Sequence, residues 1–165
     1  MRLFIAIKLD DEMIDALGAL QSDLQFCGMQ GRYTREENMH LTLAFIGEYP
    51  DPQSVLDALE NVRVRPFEIC LDGAGHFDDL WWAGIRSSED LNTLVKQVRH
   101  ALAEAGIPFD RKRFKPHITL VRSAKWHGDQ LESLNVEPVR MTVDRISLMR
   151  SDRGKHGMIY TKIQR

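Results

Sequence analysis

The sequence predicts an α+β fold built from two similar lobes that face each other. Three observations carry this. Short runs with a period-two apolar pattern interleave with longer runs at helical spacing. One five-residue segment recurs about half a chain later. No low-complexity stretch or flexible linker separates the halves. A chain of 165 residues suffices for one domain with a real core, or for two small lobes sharing one. We read residues 1–165 as a single bilobal domain.

Arg2 to Lys8 reads as a strand with Leu3, Ile5 and Ile7 on one face. Asp10 or Asp11 can cap a following helix, in which Met13, Ile14, Leu17, Leu20 and Leu24 recur at helical spacing up to Gly28. Met39 to Ile46 is a second strand, ended by Gly47. Asp51-Pro52 starts a short helix with proline at its first position, carrying Val55, Leu56 and Leu59. Phe67 to Leu71 and Leu80 to Arg86 read as two strands, with Gly73 to Asp79 as the hairpin connection. Ser88 caps the clearest helix, whose stripe is Leu91, Leu94, Val95, Val98, Leu102 and Ala105, stopped by Gly106 and Pro108. His117 to Arg122 is a further strand. Val139 to Met149 and Met158 to Ile163 form a last pair, joined by a turn through Ser151-Asp152-Arg153-Gly154.

The recurring segment is Met39-His40-Leu41-Thr42-Leu43, echoed by Pro116-His117-Ile118-Thr119-Leu120. The two histidines stand 77 residues apart, and an amphipathic helix lies upstream of each. On a strand, positions two apart point the same way. His40 therefore shares a face with Thr42, and His117 with Thr119, while Leu41, Leu43, Phe45, Ile118 and Leu120 take the opposite face. If a pseudo-twofold axis relates the lobes, both polar pairs can meet across one cleft.

Two imidazoles and two hydroxyls suit a phosphodiester. Neutral imidazole takes a proton from water and imidazolium gives one to a leaving alkoxide; a pKa near 6.5 lets both forms coexist at neutral pH. The hydroxyls can donate hydrogen bonds to phosphate oxygens as charge builds. A single H-x-T on a strand is a weak signal, since either histidine alone reads as a surface or satisfied core residue. The matched pair favours a functional site. Zinc is the rival chemistry for two histidines, but neither strand offers a third ligand at suitable spacing, so we expect no metal and no cofactor.

His40-Leu41-Thr42-Leu43 and His117-Ile118-Thr119-Leu120 resemble the paired motifs of the two-histidine (2H) phosphoesterase superfamily. The best match is its bacterial and archaeal branch, the RNA 2′,3′-cyclic phosphodiesterases or 2′-5′ RNA ligases. The opening RLFIAIKL, the runs NMHLTLAFIGE and FKPHITLVRS, and Tyr160 all match that branch, so the resemblance covers nearly the whole chain. It implies two pseudo-symmetric lobes, each an antiparallel sheet with outer helices, around a central cleft that holds the cyclic phosphate. It implies hydrolysis of RNA 2′,3′-cyclic phosphate ends to 2′-phosphates, with 2′-5′ joining as the near-reverse. It casts His40 as proton donor to the departing 3′-oxygen and His117 as the base that activates water. Thr42 and Thr119 would hold the phosphate. Arg122 matches a family arginine that contacts the phosphate or the terminal nucleotide. Strict alternation puts Arg122 on the face opposite His117 and Thr119, so a bulge or strand end near Val121 is needed to re-aim it.

Other features bound the reading. Residues 1–82 carry a net charge of −9 and residues 83–165 one of +7, which suggests an anionic partner on the second side. The run Arg111-Lys112-Arg113-Phe114-Lys115 could follow an RNA backbone, with Phe114 packed inward or stacked on a base; a charged loop with one buried anchor fits equally. Trp81 and Trp82 face opposite ways, one of them toward the core. His76, His100, His127 and His156 lack a partner pattern. Cys27 and Cys70 sit among apolar residues and read as small buried hydrophobes. No apolar run approaches a membrane span, and Met1 to Asp10 does not read as a secretory signal, so we expect a cytoplasmic protein and a monomer. No Gly-rich phosphate loop or adenylation lysine motif is present, so any joining is expected without ATP. Two further readings compete: a phosphodiesterase for another nucleotide cyclic phosphate or 2′-5′ linked oligonucleotide, which leaves both motifs unchanged, and a non-cutting RNA-binding module, which would typically show exposed aromatics on a strand in place of matched His and Thr pairs.

Overall fold

The computed structural model describes residues 1–128, 131 and 134–164. In chain order these form β1 (Arg2–Lys8), α1 (Asp11–Phe26), β2 (Gln30–Tyr33), β3 (His40–Glu48), α2 (Pro52–Leu59), β4 (Phe67–Phe77), β5 (Leu80–Ile85), α3 (Glu89–Glu104), β6 (His117–Lys125), β7 (Arg140–Val143), β8 (Ser147–Gly154) and β9 (Gly157–Ile163). The strands make two sheets, ordered β3-β1-β8-β9 and β2-β6-β5-β4-β7, with antiparallel pairing throughout.

Set β2 aside and the two orders correspond strand for strand: β3, β1, β8, β9 against β6, β5, β4, β7. In each lobe a long helix follows the inner strand β1 or β5, and the motif strand pairs with that same inner strand. This is the α+β pair of pseudo-symmetric lobes that the internal echo predicts.

The two long helices form for the same local reasons. Asp10 Oδ1 accepts the Met13 N–H at 2.9 Å, and Ser88 Oγ accepts the Leu91 N–H at 3.1 Å, each satisfying an orphan donor of the first turn. Both helices end in the same motif. Gly28 (φ +88) and Gly106 (φ +71) adopt the left-handed conformation that only glycine takes without penalty. Met29 N–H then reaches back to Leu24 O, and Ile107 N–H to Leu102 O, at 3.0 and 2.9 Å.

Apolar stripes seat the helices. Met13, Leu17, Leu20 and Leu24 of α1, and Leu91, Leu94, Val95, Val98 and Leu102 of α3, are buried in one continuous core. Leu3, Ile5 and Ile7 of β1 and Ile118, Leu120 and Val121 of β6 meet them there. Each such burial contributes about 1.5–3 kcal/mol. No described helix is long and apolar enough to cross a membrane.

Four segments differ from the sequence reading. Gly73 to Asp79 is not a loop: β4 continues to Phe77 and turns at Asp78-Asp79. Of its two glycines, Gly73 (φ +72) lies at a register shift, and Gly75 serves close approach, for a Cβ on it would lie 2.7 Å from the Trp82 ring. The segment 139–149 is two strands, not one. It breaks after Val143 at the charged pair Asp144-Arg145, so that β7 joins β4 and β8 joins β1 in the other sheet. The final turn falls at Lys155-His156, with β8 running on to Gly154. Finally, β2 escaped the sequence reading. It has four residues, none of them buried, and no alternation to betray it.

Candidate active site

The motif strands lie in the two sheets and contact each other across the lobe boundary. Leu41, Leu43, Ile118 and Leu120 are buried in the core, as the alternation predicts. His40, Thr42, His117 and Thr119 are half-buried on the opposite face. His40 stands opposite Lys8 and Thr42 opposite Ala6 in one sheet; His117 stands opposite Gly84 and Thr119 opposite Trp82 in the other.

A β-bulge then follows each motif at the same place. In β3, Thr42 and Ala44 pair with the consecutive residues Ala6 and Ile5, leaving Leu43 as the extra residue. In β6, Thr119 and Val121 pair with the consecutive residues Trp82 and Trp81, leaving Leu120 extra. Two successive residues therefore point inward, Leu43 with Ala44 and Leu120 with Val121, and all four are buried. The alternation resets by one residue. Phe45 and Arg122, which simple alternation sends to the core side, return to the face of the histidines. The difficulty over Arg122 is thereby removed by a bulge at Leu120.

The two imidazoles are held alike. His40 Nδ1 lies 2.7 Å from the Asn38 carbonyl, and His117 Nδ1 lies 2.6 Å from the Lys115 carbonyl. A carbonyl only accepts, so each Nδ1 carries the hydrogen in the neutral ring and each Nε2 is left with its lone pair for chemistry. Aromatic rings wall both. Phe4 and Tyr160 lie 4.7 and 5.2 Å from the His40 ring; Phe77 and Trp82 lie 5.3 and 6.4 Å from that of His117.

Burial pushes the His40 pKa below its ordinary value, and the nearby charges of Arg122 and His117 push it the same way, against the Asn38 hydrogen bond. The field of Arg122 thus reaches His40 from the other lobe, which draws together the two histidines and the arginine.

Other sequence candidates fall into place. Trp81 is buried in the core, whereas Trp82 is half-buried on the site face. Phe114 packs against the core and so acts as an anchor. His76 lies against Trp81 and Trp126, and His100 is exposed beside Glu104 at 3.7 Å. Cys70 is buried, but Cys27 is only partly so, because it caps α1 at the surface. Sequence reasoning missed Phe4 and Phe45 as site-face residues. Phe4 was recoverable, since it alternates with Leu3 and Ile5; Phe45 was not, because its facing depends on the bulge. Among the described residues, no three His, Cys, Asp or Glu side chains gather as metal ligands.

This face offers two tethered imidazoles with free Nε2 atoms, two hydroxyls and a guanidinium. It can exchange protons on both sides of an anionic group while the cation and hydroxyls hold it.

Residues 10–155 match the family model of the 2′-5′ RNA ligase superfamily. The chain is 32% identical, over an alignment of 174 residues, to an RNA 2′,3′-cyclic phosphodiesterase of Thermotoga maritima, covering 97% of this chain and 91% of that one. A protein of the same name from Methanothermobacter thermautotrophicus is 30% identical, covering 99% of this chain and 97% of its own. The fold is similar to that of Escherichia coli LigT solved with 3′-AMP, with a TM-score of 0.80, 27% identity, and coverage of 99% of this chain and 94% of that one.

Proposed function

From the premise that this chain belongs to the 2′-5′ RNA ligase superfamily, we propose that it hydrolyses RNA 2′,3′-cyclic phosphate ends to 2′-phosphomonoesters, with His40 and His117 as acid and base. The observation that carries this reading is the matched pair of Nδ1-tethered histidines, each with a threonine beside it and Arg122 returned to their face. The names borne by the relatives point to the same substrate.

The reaction runs as follows. The lone pair of His117 Nε2 takes a proton from water as the water oxygen forms a bond to phosphorus. The bond from phosphorus to the 3′-oxygen breaks. Protonated His40 gives its Nε2 proton to that oxygen, leaving a 3′-hydroxyl and a 2′-phosphate. Thr42, Thr119 and Arg122 bind the non-bridging oxygens, where negative charge builds. A 5′-hydroxyl in place of water gives a 2′-5′ phosphodiester by the same steps. The strained ring supplies the leaving group, so joining needs no ATP and is limited by equilibrium.

The bound phosphate also matters to His40. Its negative charge favours the imidazolium and so opposes the burial that lowers the His40 pKa in the free protein.

The test is incubation with a short RNA ending in a 2′,3′-cyclic phosphate, in EDTA, with the product identified by phosphorus NMR. His40→Ala and His117→Ala should each lose about 10²–10⁴-fold in turnover. A 3′-phosphate product, or full activity in either variant, would overturn the assignment.

A further inference from the structure

A groove of about 170 Å³ is lined by Thr42 and His117 together with the segment before β6. Its lining includes the cations Arg99, Lys112, Arg113 and Lys115 against one carboxylate, that of Asp110. Among the described residues, none of these four cations is in an ion pair. Asp110 is turned into its own loop, where its Oδ1 accepts the Lys112 N–H at 2.9 Å.

The segment is held in place on both flanks. Phe109 packs against the guanidinium groups of Arg99 and Arg111, at 5.8 and 4.6 Å. Arg99 Nη1 donates to the Lys112 carbonyl at 2.8 Å, tying the segment to α3. The Asp110 N–H donates to the Phe45 carbonyl at 2.8 Å, tying it to β3 beside the site. A run of positive charge outside any ion pair is thus fixed on a groove that His117 also lines. Keeping like charges together without counter-ions costs stability, and an anionic ligand along the groove would offset that cost.

We propose that the RNA strand upstream of the cyclic end lies in this groove, held through its phosphates by Lys112 and Arg113 and bordered by Arg99. This rests on the reading of the site given above. It makes an oligonucleotide, not a mononucleotide, the preferred substrate class. The contacts reach the backbone and so imply little base preference at those positions.

The experiment compares wild type with the Lys112→Ala, Arg113→Ala double variant on a mononucleoside 2′,3′-cyclic phosphate and on a cyclic-ended tetranucleotide, over a range of salt. Wild type should show a higher kcat/KM for the tetranucleotide, and that advantage should shrink as salt rises. The double variant should lose on the order of tenfold of the advantage, and its log–log salt slope should flatten by about 1.4, since each contact to a single strand contributes about 0.7. Mononucleotide hydrolysis should be unchanged. Equal kcat/KM for the two substrates, or an advantage kept by the variant, would overturn the proposal.

A second measurement separates this from the catalytic reading. Anisotropy of a labelled tetranucleotide ending in a 2′-phosphate reports binding alone. Binding weakened by the double substitution, in a protein that hydrolyses neither substrate, would keep the RNA groove and sink the phosphodiesterase. Equal binding by the two proteins, or displacement of RNA by poly-glutamate at matched charge, would sink the groove instead.

Discussion

The side-chain amide of Gln21 donates a hydrogen bond to the Leu120 carbonyl at 3.0 Å, joining helix α1 to the extra residue of the β6 bulge. The same amide donates to the Thr34 carbonyl at 2.9 Å, and the Thr34 N–H also donates to Leu120 O at 2.9 Å. A bulge takes one residue out of the regular ladder, so its carbonyl needs partners from elsewhere. Here those partners come from outside the sheet's regular pairing, and they fix the residue whose insertion turns Arg122 toward the histidines.

Gln21→Leu should therefore weaken substrate handling through Arg122. The stability cost is expected to be about 0.5–1.5 kcal/mol, because Thr34 still serves the Leu120 carbonyl. A several-fold rise in KM with a smaller change in kcat is expected. The deciding measurement is a double-mutant cycle with Arg122→Ala. If Gln21 acts by aiming Arg122, its substitution adds little once Arg122 is gone. Fully additive losses would show that Gln21 only stabilises the fold.

Arg122 also lowers the pKa of His40, after burial and ahead of His117. Arg122→Ala should move the His40 titration upward, toward the ordinary 6.5. Proton NMR of the His40 ring across pH checks this, and a downward or absent shift would contradict the geometry. The linkage has a definite sign. His40 has a lower pKa folded than unfolded, so the unfolded chain binds more protons between the two values and stability rises with pH there. Wild type should lose stability as pH falls from about 6.5 through the depressed folded value, and Arg122→Ala should lose less.

The site was partly legible in the sequence because H-x-T is local. Two positions on one strand share a face whatever the partner strand does, so His40 with Thr42 and His117 with Thr119 followed from spacing alone. Arg122 did not, and neither did Phe45. A bulge is defined by which residues stand opposite it, and those of β6 are Trp82 and Trp81 on β5, more than thirty residues upstream. The helices were legible for the same local reason, through Asp10, Ser88, Gly28 and Gly106. Gly75 of β4 misled because turn chemistry and room for a neighbouring ring use the same residue. The β7–β8 break misled because a change of sheet leaves only a short charged interruption, Asp144-Arg145, in an apolar run.

The bulges also place Phe45 and Arg122 at equivalent positions of the two lobes. The first lobe thus presents an aromatic wall of Phe4, Phe45 and Tyr160, with the Arg2 guanidinium 5.1 Å from the Phe45 ring, where the second presents Arg122. A singly charged cyclic phosphate needs cationic support on one side only, and a second arginine would lower the His40 pKa further. Phe45→Arg should therefore lower activity although it adds positive charge near the phosphate. Its pH–rate profile should show the donor limb moved to lower pH; an unchanged limb would argue that Phe45 does not feel the site.

The last expectation concerns Gly75, where the sheet itself sets the position of an aromatic wall. Trp82 lies over Gly75 so closely that a Cβ there would sit 2.7 Å from Cζ2 and 2.8 Å from Cη2. Both atoms belong to a rigid indole, so Gly75→Ala must displace the ring. That displacement acts on the site face, where the Trp82 and His117 rings lie 6.4 Å apart. Overpacking of this kind costs about 1–3 kcal/mol, and the variant should lose turnover as well as thermal stability. Trp82→Phe removes the six-membered outer ring that the new methyl meets. Gly75→Ala should therefore cost less stability in the Trp82→Phe background than in wild type, as measured by thermal unfolding. If the cost is the same in both backgrounds, the strain lies in the β4 backbone and not in the ring.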